Sequence, residues 1–357
     1  MRSYIWPLPN RIAHALMGAL FLLCFISGQS EAFIFFHALL GTALAWVVIF
    51  RIIWGFGGPR YSKFKDFDLN IVNLKEYMLH IYKPHNHAGH NPASSWSAIG
   101  LLVLLGLSAA SGAVVFFAPS HLAKELHEII VYVTLILIGL HVAGAILSAK
   151  VNGVVALTSM VNGFKNTTEQ IKISKAQKIG GALGILSVAG AIWGSAYGYD
   201  AFLESQKATS LAKLPSNYVK ECTSCHSLYP SEYLSKASWK EVMDGLDTHF
   251  GTDASLDEAV SGEIGAFLQT NAGPNPKSKF SKKSAAEDGI EITKTKVWKK
   301  KHEDIPKEIF AKKEFRASNC VACHTDANSG MINPANISFN KLSSSEKIKL
   351  YGALLCD

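Results

Sequence analysis

No apolar run long enough to cross a bilayer occurs after residue 200 of this 357-residue chain, which argues against further helical crossings in its last part. Acidic side chains are scarce before that point. Residues 1–199 hold 7 Asp and Glu against 14 Lys and Arg, whereas the remainder balances at 21 against 21, so the whole formal charge of +7 falls in the first part. Cysteine is also nearly confined: four of the six residues sit in two pentapeptides, Cys222-Thr-Ser-Cys225-His226 and Cys320-Val-Ala-Cys323-His324. The other two are Cys24, read as a helix-packing residue, and Cys356, for which the sequence offers no partner.

What the first part has in quantity is apolar sequence in blocks. Overall the chain is 48% hydrophobic, high for a purely soluble protein. Runs near 12–27, 33–54, 96–118, 127–148 and 179–198 can each cross a hydrocarbon core of about 30 Å. Five transmembrane helices followed by a water-soluble domain are therefore expected. Thirteen of the fourteen basic residues lie in the N-terminus, the 2–3 connection or the 4–5 connection, and only Lys124 lies on the other side. By the positive-inside rule the N-terminus is cytoplasmic and everything after Tyr199 is external. The first run has a basic front like a signal peptide, but SGQSEA is a poor cleavage site and removal would discard His14.

The stretch His127–His141, HEIIVYVTLILIGLH, organises the rest. Its two imidazoles are fourteen residues apart, roughly 21 Å along a helix axis and only about 40° apart around it. They leave one face at two depths. Ionisable side chains inside a membrane segment are costly and functional by default, and neutral imidazole is a common haem iron ligand. His14 lies near the inner end of the first run and His37 near the outer start of the second. Antiparallel helices then pair His14 with His141 at the inner level and His37 with His127 at the outer level, giving two haems b. Runs three and five contain no histidine. The third, rich in small residues that permit close helix approach, is expected to be scaffold or a wall against which haem rings lie, and the fifth an uncleaved anchor.

Asn10 is expected to cap the first helix, and Asn91-Pro92 to supply the cap and first position of the third. His80, His85, His87 and His90 in the 2–3 connection invite a metal-site reading. The segment is interrupted by Pro84, Gly89 and Pro92 and has no cysteine or acidic cluster, so solvated loop histidines are the preferred account. His90 or Arg11 is also a conceivable contact for a quinone head group. His121 is given no role.

C-x-x-C-H is the attachment pattern of c-type haem: two thiols bond the porphyrin and the adjoining histidine, here His226 and His324, is held under the iron. Attachment takes place outside the bacterial inner membrane, in agreement with the charge-based topology. Each iron then needs a sixth ligand or an open position. The domain has two more histidines, His249 and His302, with Met243 and Met331 as competitors that would raise the potential. The lysine-rich stretch 277–301 reads as a solvated loop in preference to a docking patch for an acidic partner.

The segment RIIWGFGGPRYSKF (51–64) and Gly89-His90-Asn91-Pro92-Ala93 resemble the bacterial cytochrome b-561 family that includes the cytochrome b subunit of nickel-iron hydrogenases. That resemblance covers about 5–165. It implies four core helices, two haems b held at His14, His37, His127 and His141, and electron exchange with membrane quinone. From Glu221 onward, ECTSCHSLYPSEYLSKASWKEVMDGLDTHFGTDASL, then TKTKVWKKKHEDIP and NCVACHTDANSG, the chain resembles the dihaem cytochrome c family, over about 218–331. This second resemblance implies bis-histidine ligation through His249 and His302, and proximity in sequence suggests His249 for the first haem c and His302 for the second.

The expected fold is all-α. A four-helix di-haem b membrane domain spans 1–165, a loop and fifth transmembrane helix 166–200, and a mostly helical periplasmic domain with two covalently attached haems c 201–357. The expected function is electron transfer between membrane quinone and a soluble periplasmic cytochrome or other haem protein, formally a quinol:cytochrome c-type oxidoreductase if quinol is the donor. A non-catalytic anchor and wiring subunit of a larger complex is the alternative. Reduction of a small oxidised molecule at an open c-type iron is a third. Nucleic acid is excluded by compartment.

Overall fold

The computed structural model describes residues 2–84, 87–118, 120–167, 169, 171–276 and 278–356, with the backbone alone at 156, 355 and 356. His85, Lys277 and the side chain of Cys356 lie outside the described residues. Two compact units make up the chain: Met1–Gly28 with Phe36–Gly198, and Gln29–Phe35 with Tyr199–Asp357.

Among the described residues five helices are long and apolar enough to cross a membrane: α1 (Leu8–Ser27), α2 (Ile34–Gly57), α3 (Pro92–Phe117), α4 (His121–Asn152) and α5 (Lys175–Leu211). Most extend past the apolar runs that announce them. The 32 residues of α4 make roughly 48 Å of helix, well beyond a hydrocarbon core, so its polar ends continue into the headgroup layer and water. Its middle exposes Ile129, Tyr132, Val133, Ile136 and Leu140, a face suited to lipid.

Local chemistry sets the helix starts. Asn91 accepts a hydrogen bond from the Ser94 amide at 2.7 Å with Pro92 at the first position of α3, as expected. Ser120 does the same for α4 through the Ala123 amide. The first helix departs from expectation: it starts at Leu8 behind Pro7, so Asn10 is an interior residue instead of a cap. Its buried amide oxygen accepts a 2.6 Å bond from Trp54 Nε1, which satisfies both groups away from water.

Phe21, Leu44, Val48, Leu102 and Leu105 form the centre of the bundle, and Ala13, Val47, Phe50 and Trp54 form a second cluster. Gly181 and Gly184 of α5 lie against this second cluster, where a Cβ would crowd Pro9 and Trp54 in one case and Phe50 in the other. Trp46 Nε1 also donates to Ser195 Oγ at 3.0 Å. Thus α5 is packed into the bundle as well as carrying the chain onward.

An unforeseen element is a short antiparallel ladder, with Arg2 opposite Asn166, Ser3 opposite Lys165 and Tyr4 opposite Phe164. Gly163, at φ 88°, turns the chain into it. The ladder holds the segment after α4 beside the start of α1.

The second unit is built from short helices over two cores: Tyr218, Leu228, Leu234, Trp239, Ile264, Leu268 and Ile292 in one, Ile309, Phe315, Ala322, Leu342 and Leu350 in the other. The lysine-rich stretch is not a plain solvated loop. It folds as helices Lys279–Ser284 and Lys296–Lys301 and buries Ser281, Ser284, Ile292 and Val297.

Candidate functional site

Eight histidines meet in four pairs. Ring centres are 6.1 Å apart for His14 and His141 and 6.1 Å for His37 and His127. In the second unit they are 6.2 Å apart for His226 and His249 and 6.2 Å for His302 and His324. Two imidazoles on opposite sides of one metal ion, each bonded at about 2 Å, would have centres about 6 Å apart. Among the described residues no group of three or more His, Cys, Asp or Glu could hold a metal ion. The donor chemistry is therefore that of axial pairs, which fits haem iron and does not fit a closed metal cage.

Hydrogen bonds orient these rings. Nδ1 of His37 donates to the Cys24 carbonyl at 2.9 Å, that of His226 to Ser227 at 2.8 Å and that of His302 to Trp298 at 2.8 Å. Occupying Nδ1 leaves Nε2 as the free lone pair, the arrangement a ligating histidine needs. His141 and His127 engage Ser97 and Ser111 through the same nitrogen. In the second unit burial opposes the imidazolium form: it lowers the pKa of His302 and of His249, and brings His324 down to about 4 with His302 adding to the effect. Burial thus favours the neutral, ligating form of these three rings.

The sequence around the second-unit pairs explains their placement. Trp298 stacks on His302 at 4.2 Å between ring centres, and Phe250, at φ 48°, follows His249 and lies edge-on to it at 4.7 Å. The two attachment motifs are tied together. Ser227, next to His226, accepts the Val321 amide inside the other motif at 2.9 Å, and the Leu228 amide donates to Asn328 at 3.1 Å. Behind the second motif, buried Asp326 accepts from the Asn333 amide and from Asn336 Nδ2. None of Cys222, Cys225, Cys320 and Cys323 is in a disulfide. Met243 packs against the core around Tyr218 and Trp239.

In the membrane unit a cavity of about 1300 Å³ is lined by His14, His141, Arg51, His90 and Lys165 among mainly apolar side chains. His90 corrects the sequence reading. It is not solvated but enclosed between the rings of Trp6 and Phe67, 4.7 and 4.3 Å away, and burial drives its pKa down to about 3. The loop is held over it by Lys165, which donates to the carbonyls of His87 and Gly89. Arg11 donates to the Val161 carbonyl, and His121 pairs with Glu125 on the exposed start of α4. Sequence reasoning missed Ser97 and Ser111, and also Gly28 and Gly112, which lie directly against the rings of His37 and His127.

Comparison with known proteins gives two separate family matches. Residues 5–163 match prokaryotic cytochrome b561, and residues 218–332 match dihaem cytochrome c. Two solved structures from Rhodobacter sphaeroides are similar to the second region. One is titled a crystal structure of DHC purified from that organism (35% identity, 33% of this chain and 96% of that chain, TM-score 0.28), the other a diheme cytochrome c (34%, 33% and 97%, TM-score 0.30). No curated protein matches. The chain therefore joins a region of the prokaryotic cytochrome b561 family to a region of the dihaem cytochrome c family, and is a membrane-embedded haem protein of electron transfer.

Proposed function

We propose that this protein passes electrons between the membrane quinone pool and a soluble periplasmic redox partner, such as a cytochrome, through two haems b and two covalently bound haems c. Haem would supply reversible one-electron chemistry at its iron; the chain would provide the histidine ligands, the burial and the hydrogen bonds that tune it. His14 with His141 and His37 with His127 would hold the haems b. Cys222, Cys225 and His226 with His249, and Cys320, Cys323 and His324 with His302, would hold the haems c. The observation that carries this reading is the occurrence of four separate imidazole pairs at 6.1–6.2 Å, two in each unit.

Further support comes from the bonds between the two attachment motifs, which favour transfer from one haem c to the other. The α1–α2 turn is part of the same compact unit as those motifs, with Glu31 paired to Lys301 at 2.6 Å. That grouping suits an N-terminus in the cytoplasm, with the turn and the residues after α5 in the periplasm. In this reading residues 1–165 form the haem b domain, 166–200 the connecting span and 201–357 the haem c domain. Quinone would meet the membrane domain, and the half-buried His90 and buried Arg51 in the cavity beside His14 and His141 make the inner level a suitable place.

The test is reduction in sequence. A quinol analogue added to membranes containing the protein should reduce haem b first and haem c after it, followed by their absorption bands. Reduction of neither would remove quinol as the donor.

A further inference from the structure

Helix α3 carries no histidine, yet it touches both of the paired histidines of α4, His127 and His141. Ser97 Oγ lies 3.2 Å from His141 Nδ1 and Ser111 Oγ lies 2.9 Å from His127 Nδ1. The serines are fourteen residues apart, as are the histidines, and the two helices run antiparallel. The contact is therefore one device used twice, at two depths. Between its two copies, the buried pair Ser108–Thr134 links the same helices at 3.2 Å.

The direction of each bond follows from what else the hydroxyl does. Ser97 donates its proton to the Ser94 carbonyl at 3.2 Å, and Ser111 donates to the Ser108 carbonyl at 3.1 Å. A hydroxyl has one proton and two lone pairs. With the proton committed to the backbone, a lone pair faces the ring, so the imidazole must donate Nδ1–H and present Nε2 to the other side. Back-bonding to the preceding turn is the ordinary habit of serine in a helix; here it also aims an acceptor.

We propose that Ser97 and Ser111 are positioning residues that fix the tautomer of His141 and His127 and lower the reduction potentials of the two haems b. The proposal rests on the reading that these histidines ligate haem iron. A ligand whose Nδ1–H is accepted by a neighbour is a better electron donor through Nε2 and favours the ferric state, so the bond pulls the potential down. Hydrogen bonds of this kind change equilibria by about fivefold, which at 59 mV per decade for one electron is about 40 mV.

The two copies differ in one respect. The Ser108 carbonyl that anchors Ser111 also neighbours His127, leaving a substitute acceptor there when Ser111 is removed. Ser97 is the deciding position.

The experiment is a redox titration of the full-length protein in detergent, with the haems b followed separately. Ser97→Ala should raise the potential of one haem b and leave the other in place. Ser111→Ala should raise the other by less. Ser97→Thr, which keeps the oxygen, should restore the native value, while Ser97→Cys, a weaker acceptor of similar size, should shift upward as alanine does. Loss of one haem b from the alanine and cysteine variants with retention in the threonine variant would support the same role. Unchanged potentials in Ser97→Ala, equal shifts of both haems, or a downward shift would overturn it. A wild-type protein without two distinct haems b would instead overturn the ligand assignment beneath it.

Discussion

At the scale of single residues, the histidines are only as well placed as the small groups beside them. A Cβ added at Gly112 would come within 3.2 Å of His127 Cε1, and one at Gly28 within 3.1 Å of His37 Cε1. These two rings face each other, so a pair of glycines backs a pair of histidines, and neither ring has room to retreat. Overpacking of this kind costs about 1–3 kcal/mol where the neighbour can yield, and a ring committed to a metal yields little. Gly112→Val should therefore displace His127 and remove one haem b while both haems c remain. A haemochrome assay giving a lowered b-to-c ratio would bear this out, and an unchanged ratio would show that the ring tolerates the crowding. None of this is visible in the sequence, where a glycine in a small-residue helix reads as a site of helix approach. The histidines are legible because an imidazole in an apolar run is unusual; a glycine or serine in such a run is ordinary.

At the scale of elements, apolar length announced all five long helices, because that signal is local and each span carries it alone. What the helices do for one another was less legible. The third was expected to be scaffold or a wall beside the haem rings, and its serines meet His127 and His141 directly; the fifth was expected to be an anchor, and its glycines meet Phe50 and Trp54. Both facts depend on the angular setting of one helix against another, which no single run encodes. The setting of His90 between Trp6 and Phe67 was hidden for a related reason. It depends on the ladder between residues 2–4 and 164–166 and on Lys165 holding the loop, contacts separated by most of the membrane unit. For α5 the consequence is measurable. Gly184→Leu would push a branched side chain into Phe50, at a cost of about 1–3 kcal/mol, and should lower the thermal stability of the haem b region in detergent. Gly190→Leu is its control: a Cβ there meets nothing within 4 Å, so that variant should melt as the native protein does. Equal melting of the two would mean that α5 does not bear on the α1–α2 face.

At the scale of the whole molecule, electron transfer depends on an order of sites that a single helix largely sets. Both rings that α4 supplies belong to different pairs, His127 with His37 and His141 with His14, so α4 is the element through which the two levels of the membrane unit are related. In the proposed topology the pair of His127 and His37 is the outer one, His37 lying in the first turn of α2. Replacing His127 with leucine keeps the helix and its apolar face but removes one imidazole. That variant should lose a single haem b and retain both haems c. Quinol added from the membrane should still reduce the remaining haem b, while the haems c stay oxidised on the same time scale. Chemical reductant acting from the aqueous side should reduce them as in the native protein, which separates a broken path from a damaged c domain. If quinol reduces the haems c of this variant at the native rate, the path from quinol to haem c does not run through the pair of His37 and His127.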